Sequence, residues 1–224
     1  MGASDKDGRL HKKALYDSLS FEAELHNIFT VDEADEIWMI SPWIGHAFVH
    51  QRLPYIKNHL SKGRRIFIAF SKEEANIKAA SSHGDMITHS AKKAIADLER
   101  NYPTLFFCVQ LPAFHTKNVI EKKGEQFVMF TGSFNVLSFS VNAQQKQIRR
   151  EEMALAHYQM AVNKYEEYLD EFIAYYIDEA RCRIASYEKA DRDEDIINFS
   201  IQRIDTLVKM QGKKELYIDF FNEV

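Results

Sequence analysis

Apolar positions along the chain follow two rhythms. Short unbroken runs mark buried strands: residues 36–41 (Glu-Ile-Trp-Met-Ile-Ser) stop at Pro42, residues 64–70 (Arg-Arg-Ile-Phe-Ile-Ala-Phe) come next, and residues 105–110 make a third. Helical patterns fill the gaps, over 47–62 up to Gly63 and over 89–101. Residues 119–120 and 126–130 predict a strand pair hinged at Lys123-Gly124, and 153–156 is a short apolar stretch. Ahead of these, Leu15, Leu19, Leu25, Ile28 and Phe29 recur at roughly helical spacing, predicting one or two short helices broken near residues 18–20.

From 158 to 190 the apolar residues, among them Tyr165, Leu169, Phe172, Ile173, Tyr176 and Ala180, keep a helical period throughout. An acidic break at 191–195, a second helix over 196–210 and a short apolar end at 216–221 complete the chain. Strands alternating with helices predict an α/β fold, a mixed central sheet flanked by helices with a C-terminal helical extension. The expected division is a helical lead-in (1–30), a central α/β domain (31–157) and a helical extension (158–224).

Composition narrows the class. With 224 residues, 46% apolar and 12% aromatic, the chain buries a sizeable core, so disorder is excluded. Eight glycines and four prolines disfavour a loop-rich all-β chain. No apolar run approaches the roughly 18–20 residues that span a bilayer, and residues 1–13 are too polar for a signal peptide. A cytoplasmic protein without stable membrane association is the expectation. The two cysteines, Cys108 and Cys182, read as small buried thiols and exclude both a disulfide framework and a four-cysteine zinc site.

The net charge of −4 hides an uneven distribution. Residues 112–150 carry six Lys/Arg against two acids, whereas 151–224 carry nine against seventeen. A basic middle suits a polyanion, and a solvated helical surface is the plainer alternative.

The chemistry concentrates between residues 115 and 152. His115-Thr116-Lys117 follows one strand, and Gly132-Ser133-Phe134-Asn135 follows the second strand of the predicted hairpin. If the hairpin pairs as read, an imidazole, an ammonium, a hydroxyl and a carboxamide converge at strand ends, a set suited to a phosphoryl group. Gly132 lets the backbone approach closely. As plainer alternatives, His115 is a solvated loop histidine, and Ser133 and Asn135 cap a turn. His46 and His50 stand four apart but lack a third metal ligand, and His83, His89 and His157 have no partner pattern. Of the two tryptophans, Trp38 reads as core and Trp43 as lining the mouth of the site.

In this order, His-x-Lys and then Gly-Ser-x-Asn after a strand, the chain resembles the phospholipase D superfamily over about residues 36–157, with one copy of the motif. Residues 37–70 are similar to the first βαβ unit of that fold. The aspartate that the family places four residues beyond the motif lysine is replaced by Lys122, a position that looks structural more than chemical. The resemblance implies cleavage of a phosphodiester without metal or cofactor, with His115 as nucleophile, Lys117 and Asn135 on the non-bridging oxygens, Ser133 as a further donor and Glu152, in preference to Glu151, orienting the imidazole. One motif supplies one histidine, so it also implies a homodimer joined through the active-site face. Nucleic acid, DNA foremost, is the expected substrate, and a role in defence against foreign DNA follows by analogy. The alternatives are a phospholipase or phosphatidyl transferase, and a non-catalytic nucleic-acid-binding or assembly module. A place within a larger protein or complex is also compatible with the sequence.

Overall fold

The computed structural model describes residues 12–45, 48–71, 89–112, 114–138, 151–187 and 194–223. His46, His83, the His89 side chain, Lys146, Arg149 and Arg150 lie outside the described residues, as do positions 191–193 of the acidic break.

Three apolar runs become neighbouring parallel strands: β2 (Glu36–Ile40), β3 (Arg65–Ser71) and β4 (Phe106–Leu111). They are buried almost throughout, which is why they read as continuous apolar stretches with no alternation. β5 (Asn118–Lys123) and β6 (Gln126–Gly132) form the predicted hairpin, with Gly124 in the left-handed region at φ 53°. β5 runs antiparallel to β2, and β6 pairs with β7 (Glu152–Leu155), giving a seven-stranded mixed sheet in the order β1-β7-β6-β5-β2-β3-β4.

The edge strand β1 (Leu15–Asp17) was expected to be helical. Only Tyr16 of its three residues is buried, so its pairing with β7 depends on a segment nearly 140 residues away and leaves no local trace. Helix α1 (Ser18–Thr30) starts directly after it, because the Asp17 carboxylate caps the Ser20 N–H at 2.8 Å. The helix expected over 47–62 divides into a π-helical turn, Phe48–Arg52, and α2 (Leu53–Ser61), with Pro54 in the first turn.

Each sheet face is covered. On one side α1, α2 and α3 (His89–Asn101) pack on Ile37, Met39, Ile66, Ile68, Val119, Phe130 and Met153. On the other, the long α4 (Tyr158–Tyr187) and α5 (Glu194–Gln211) pack on Trp38, Phe67, Phe107, Ile120 and Met129. Lys214–Tyr217 forms a 3-10 turn and Ile218–Glu223 the short α6. No helix among the described residues is long and apolar enough to cross a membrane.

Charged groups at the turn end of the hairpin are more buried than their sequence suggests. Glu121 is 5% exposed because Lys12 reaches it at 3.3 Å while also pairing with Glu24 and Asp32. Burial pushes the Glu121 carboxyl up to about 7 against the pull of Lys12. Lys122, at the position where the resemblance expects aspartate, bonds Glu36 at 3.0 Å. The same Glu36 carboxylate accepts from Tyr165 (3.1 Å) and Trp38 (3.3 Å). Lys122 thus anchors the hairpin to β2 and α4. The thiols differ from one another: Cys108 is buried and pushed up by burial, whereas Cys182 is exposed, since α4 turns it away from the sheet.

Candidate active site

Strand register decides which side chains share an end of the sheet. Ile40 at the close of β2 stands opposite Asn118 at the start of β5, and Asn118 stands opposite Thr131 near the close of β6. Gly132 in turn opposes Met153 at the start of β7. The segment 114–117 before β5, the turn after β6 and the entry into β7 therefore meet at the end where β2 finishes.

Backbone bonds fasten these segments. The Gly132 N–H donates to the Lys117 carbonyl at 3.2 Å, and the Ser133 N–H donates to the Glu152 carbonyl at 2.9 Å. A Cβ on Gly132 would lie 2.0 Å from that same carbonyl oxygen, so only glycine fits between the strands. Further on, the Gly45 N–H donates to Leu137 O at 3.1 Å, and Arg52 Nε donates to Val136 O at 3.0 Å. Arg52 is itself buried and clamped in a two-pronged pair by Glu22. Arg52 and Glu22 leave no local signal in the sequence, because Arg52 bonds a backbone carbonyl 84 residues away and Glu22 bonds Arg52, 30 residues away.

His115 is exposed, and Lys117 is half-buried with its ammonium donating to the His115 carbonyl at 2.8 Å. An ammonium carries three donors, so two remain for a ligand. Burial lowers the Lys117 pKa, with the nearby Glu151 carboxylate opposing the shift. Ser133 Oγ accepts the Glu152 N–H at 3.0 Å and keeps its own proton to donate. Asn135 is 8% exposed, and its Oδ1 is buried without a hydrogen bond. Trp43 stands beside both motif residues, its ring centroid 6.0 Å from that of His115 and 5.7 Å from Lys117 Nζ.

The two neighbouring acids at the entry to β7 are placed differently. Glu152 brackets Ser133 through its backbone, but its side chain is exposed. Glu151 lies two residues before Met153, and Lys117 two before Val119, and both Met153 and Val119 bury against the α1–α2 face. Strand alternation therefore puts Glu151 on the side of Lys117 and Glu152 on the opposite side. The apolar partner two residues on was the signal that distinguishes these neighbouring acids.

Trp38 is core, stacked on Phe67 at 3.8 Å. His50 lies away from this site, in a cleft of about 620 Å³ between α1 and α2 shared with His26 and Tyr55. Among the described residues no three His, Cys, Asp or Glu side chains are grouped to hold a metal ion.

Fold and site together define an α/β protein whose mixed sheet gathers an imidazole, an ammonium and a hydroxyl at one end. No protein-family model matches the chain, and no curated protein sequence matches it. Among solved structures it is similar to NucT from Helicobacter pylori, at 17% identity and a TM-score of 0.48 over 73% of this chain and 96% of that one. It is also similar to TrmBL2, an archaeal chromatin protein whose structure shows a novel mode of DNA binding, at 11% identity and a TM-score of 0.41. That match covers 72% of this chain and about half of the other, 54%.

Proposed function

We propose that this chain is a metal-independent phosphodiesterase of the phospholipase D type, acting on nucleic acid, DNA foremost, as a homodimer. The observation that supports this most is the meeting of His115, Lys117 and Ser133 at one sheet end, with donors of Lys117 and Ser133 left for a ligand. An exposed imidazole next to a fixed ammonium and a hydroxyl donor matches what a phosphodiester demands: a nucleophile and stabilisation of the oxygens that gain charge.

In the first step a His115 ring nitrogen attacks phosphorus in line, and the P–N bond forms as the P–O bond to the leaving group breaks. The departing oxygen takes a proton from a second histidine, the partner subunit's His115. In the second step that histidine removes a proton from water, the water oxygen bonds to phosphorus and the P–N bond breaks, which restores both imidazoles. Lys117 and Ser133 hold the non-bridging oxygens throughout, with Asn135 contributing its amide. Glu151 balances the charge of Lys117, and its place on the side of Lys117 makes it, ahead of the exposed Glu152, the carboxylate suited to orient the imidazole. The positive charge that a metal brings in other nucleases comes here from Lys117. The excess of basic residues over 112–150 favours a polyanion over a lipid headgroup.

The experiment incubates wild type and His115→Ala with plasmid, single-stranded DNA, RNA and phospholipid vesicles in excess EDTA. Nucleic acid is expected to be cleaved by wild type, and activity is expected to fall below about a tenth in the variant while circular dichroism and oligomeric state stay unchanged. Headgroup release from vesicles alone would replace the nuclease reading with the phospholipase one. Cleavage that requires added magnesium or manganese would overturn the mechanism.

A further inference from the structure

The two tryptophans of this chain stand five residues apart and do different work. Trp38 lies wholly inside the core, its indole N–H turned to Glu36 and its ring flat on Phe67. Trp43 is half-buried just beyond the end of β2.

Its backbone is held on both sides. The Ser41 N–H donates to Ala69 O at 3.0 Å and the Ser71 N–H to Pro42 O at 3.1 Å, which ties the residues before Trp43 to β3. Ser41 Oγ donates to the Trp43 carbonyl at 3.3 Å, and Gly45 bonds Leu137 in the turn that carries Asn135. Pro42 removes a donor and ends the strand there. The backbone that carries the ring is tied to two separate parts of the sheet end.

Two groups meet that ring. The Lys117 ammonium lies over it at 5.7 Å, within the range where the negative face of an indole attracts a cation. The His115 imidazole meets it at an interplanar angle of 86°, with centroids 6.0 Å apart. We propose that Trp43 is a positioning residue of the site, its indole holding the Lys117 ammonium and the His115 imidazole in fixed relation to each other. Neither contact is available to an aliphatic side chain of the same bulk. For its kinetic consequence this inference rests on the phosphodiesterase reading; the geometry of the three side chains does not.

The test compares Trp43→Phe, which keeps a ring face, with Trp43→Leu, which keeps apolar cover without one. The Lys117 ammonium is titrated by NMR on lysine-labelled protein, assigned with Lys117→Arg, and the His115 ring protons are assigned with His115→Ala. In Trp43→Leu the His115 ring-proton shifts should change as the indole ring current is lost, and the Lys117 pKa should fall. The kcat on the nucleic-acid substrate should drop about tenfold with KM changed less than about twofold, the order expected of a partly desolvated cation–π contact. Trp43→Phe should recover most of the rate. Should Trp43→Leu fail to fold, Trp43→Met serves the same comparison.

Unchanged Lys117 titration and His115 shifts in the ring-less variant would overturn the proposal, as would equal impairment of the Phe and Leu variants, the signature of a packing role. If wild type cleaves no phosphodiester, the phosphodiesterase reading fails, and the NMR comparison still decides whether Trp43 holds the two groups.

Discussion

The two ends of the β5–β6 hairpin handle polar groups in opposite ways. At the turn end, Glu121 sits against Lys12, Lys122 against Glu36, and Lys123 donates to the Asp32 carbonyl at 3.2 Å. At the open end, Lys117 commits one donor to a carbonyl, Ser133 commits only its acceptor, and the Asn135 Oδ1 is buried without a hydrogen bond. A buried acceptor left unbonded costs about 1–3 kcal/mol. The same pair of strands therefore closes its charges into structure at one end and holds polar groups ready for a ligand at the other. Basic residues occur at both ends, so their number alone does not locate a phosphate site; what they are bonded to does.

Substitutions at the two ends should separate rate from stability. At the open end, Lys117→Ala is expected to lower turnover on the order of 10²-fold or more while leaving the urea midpoint nearly unchanged. Steady-state kinetics beside equilibrium unfolding checks this, and an unchanged turnover would remove Lys117 from the site. At the turn end, Lys12→Met leaves Glu24, Asp32 and Glu121 around a vacated ammonium. Breaking a buried ion pair by removing one partner costs about 3–5 kcal/mol, so the urea midpoint should fall while activity per folded molecule holds. Loss of turnover without loss of stability would mean that the ends are not separable in this way.

A smaller effect belongs to His59, buried at the end of α2 against Phe29, with neither ring nitrogen hydrogen-bonded. Burial, helped by Arg64 and Lys62, lowers its pKa from 6.5 to about 4. The unfolded chain therefore binds more protons at this position than the folded one between those values. Stability from this group is complete above about pH 6.5 and is lost as pH falls toward 4. His59→Leu should lower the slope of unfolding free energy against pH across that window by up to one proton, while Glu121, whose carboxyl is raised to about 7, adds a slope of the opposite sign in both proteins. An identical slope in the variant would assign the pH dependence to other groups.

How far the sequence speaks for itself varies along the chain. The three parallel strands and the hairpin are legible because strands buried on both faces need uninterrupted apolar runs, and α3 falls on residues 89–101 as its periodicity predicts. β1 is hidden because three residues with a single buried ring carry no period, and the π-helical turn at Phe48–Arg52 leaves the same apolar spacing as an ordinary helix. Of the site, His115, Lys117, Ser133 and Asn135 are brought to one end as their spacing suggests. Two features escape a local reading: the burial of Glu121, which depends on Lys12 more than a hundred residues away, and the choice between Glu151 and Glu152, which depends on strand face.

In the proposed mechanism His115 forms a covalent bond to phosphorus without a metal. The most direct measurement mixes end-labelled DNA with the protein in excess EDTA, quenches in alkali, where a P–N bond on imidazole survives, and maps the label on the peptide that carries residue 115. The expected result is a nucleotidyl adduct on His115 that appears before product, vanishes in His115→Ala and forms equally well with and without EDTA. Cleavage proceeding with no adduct on His115, or with label on another side chain, would contradict it.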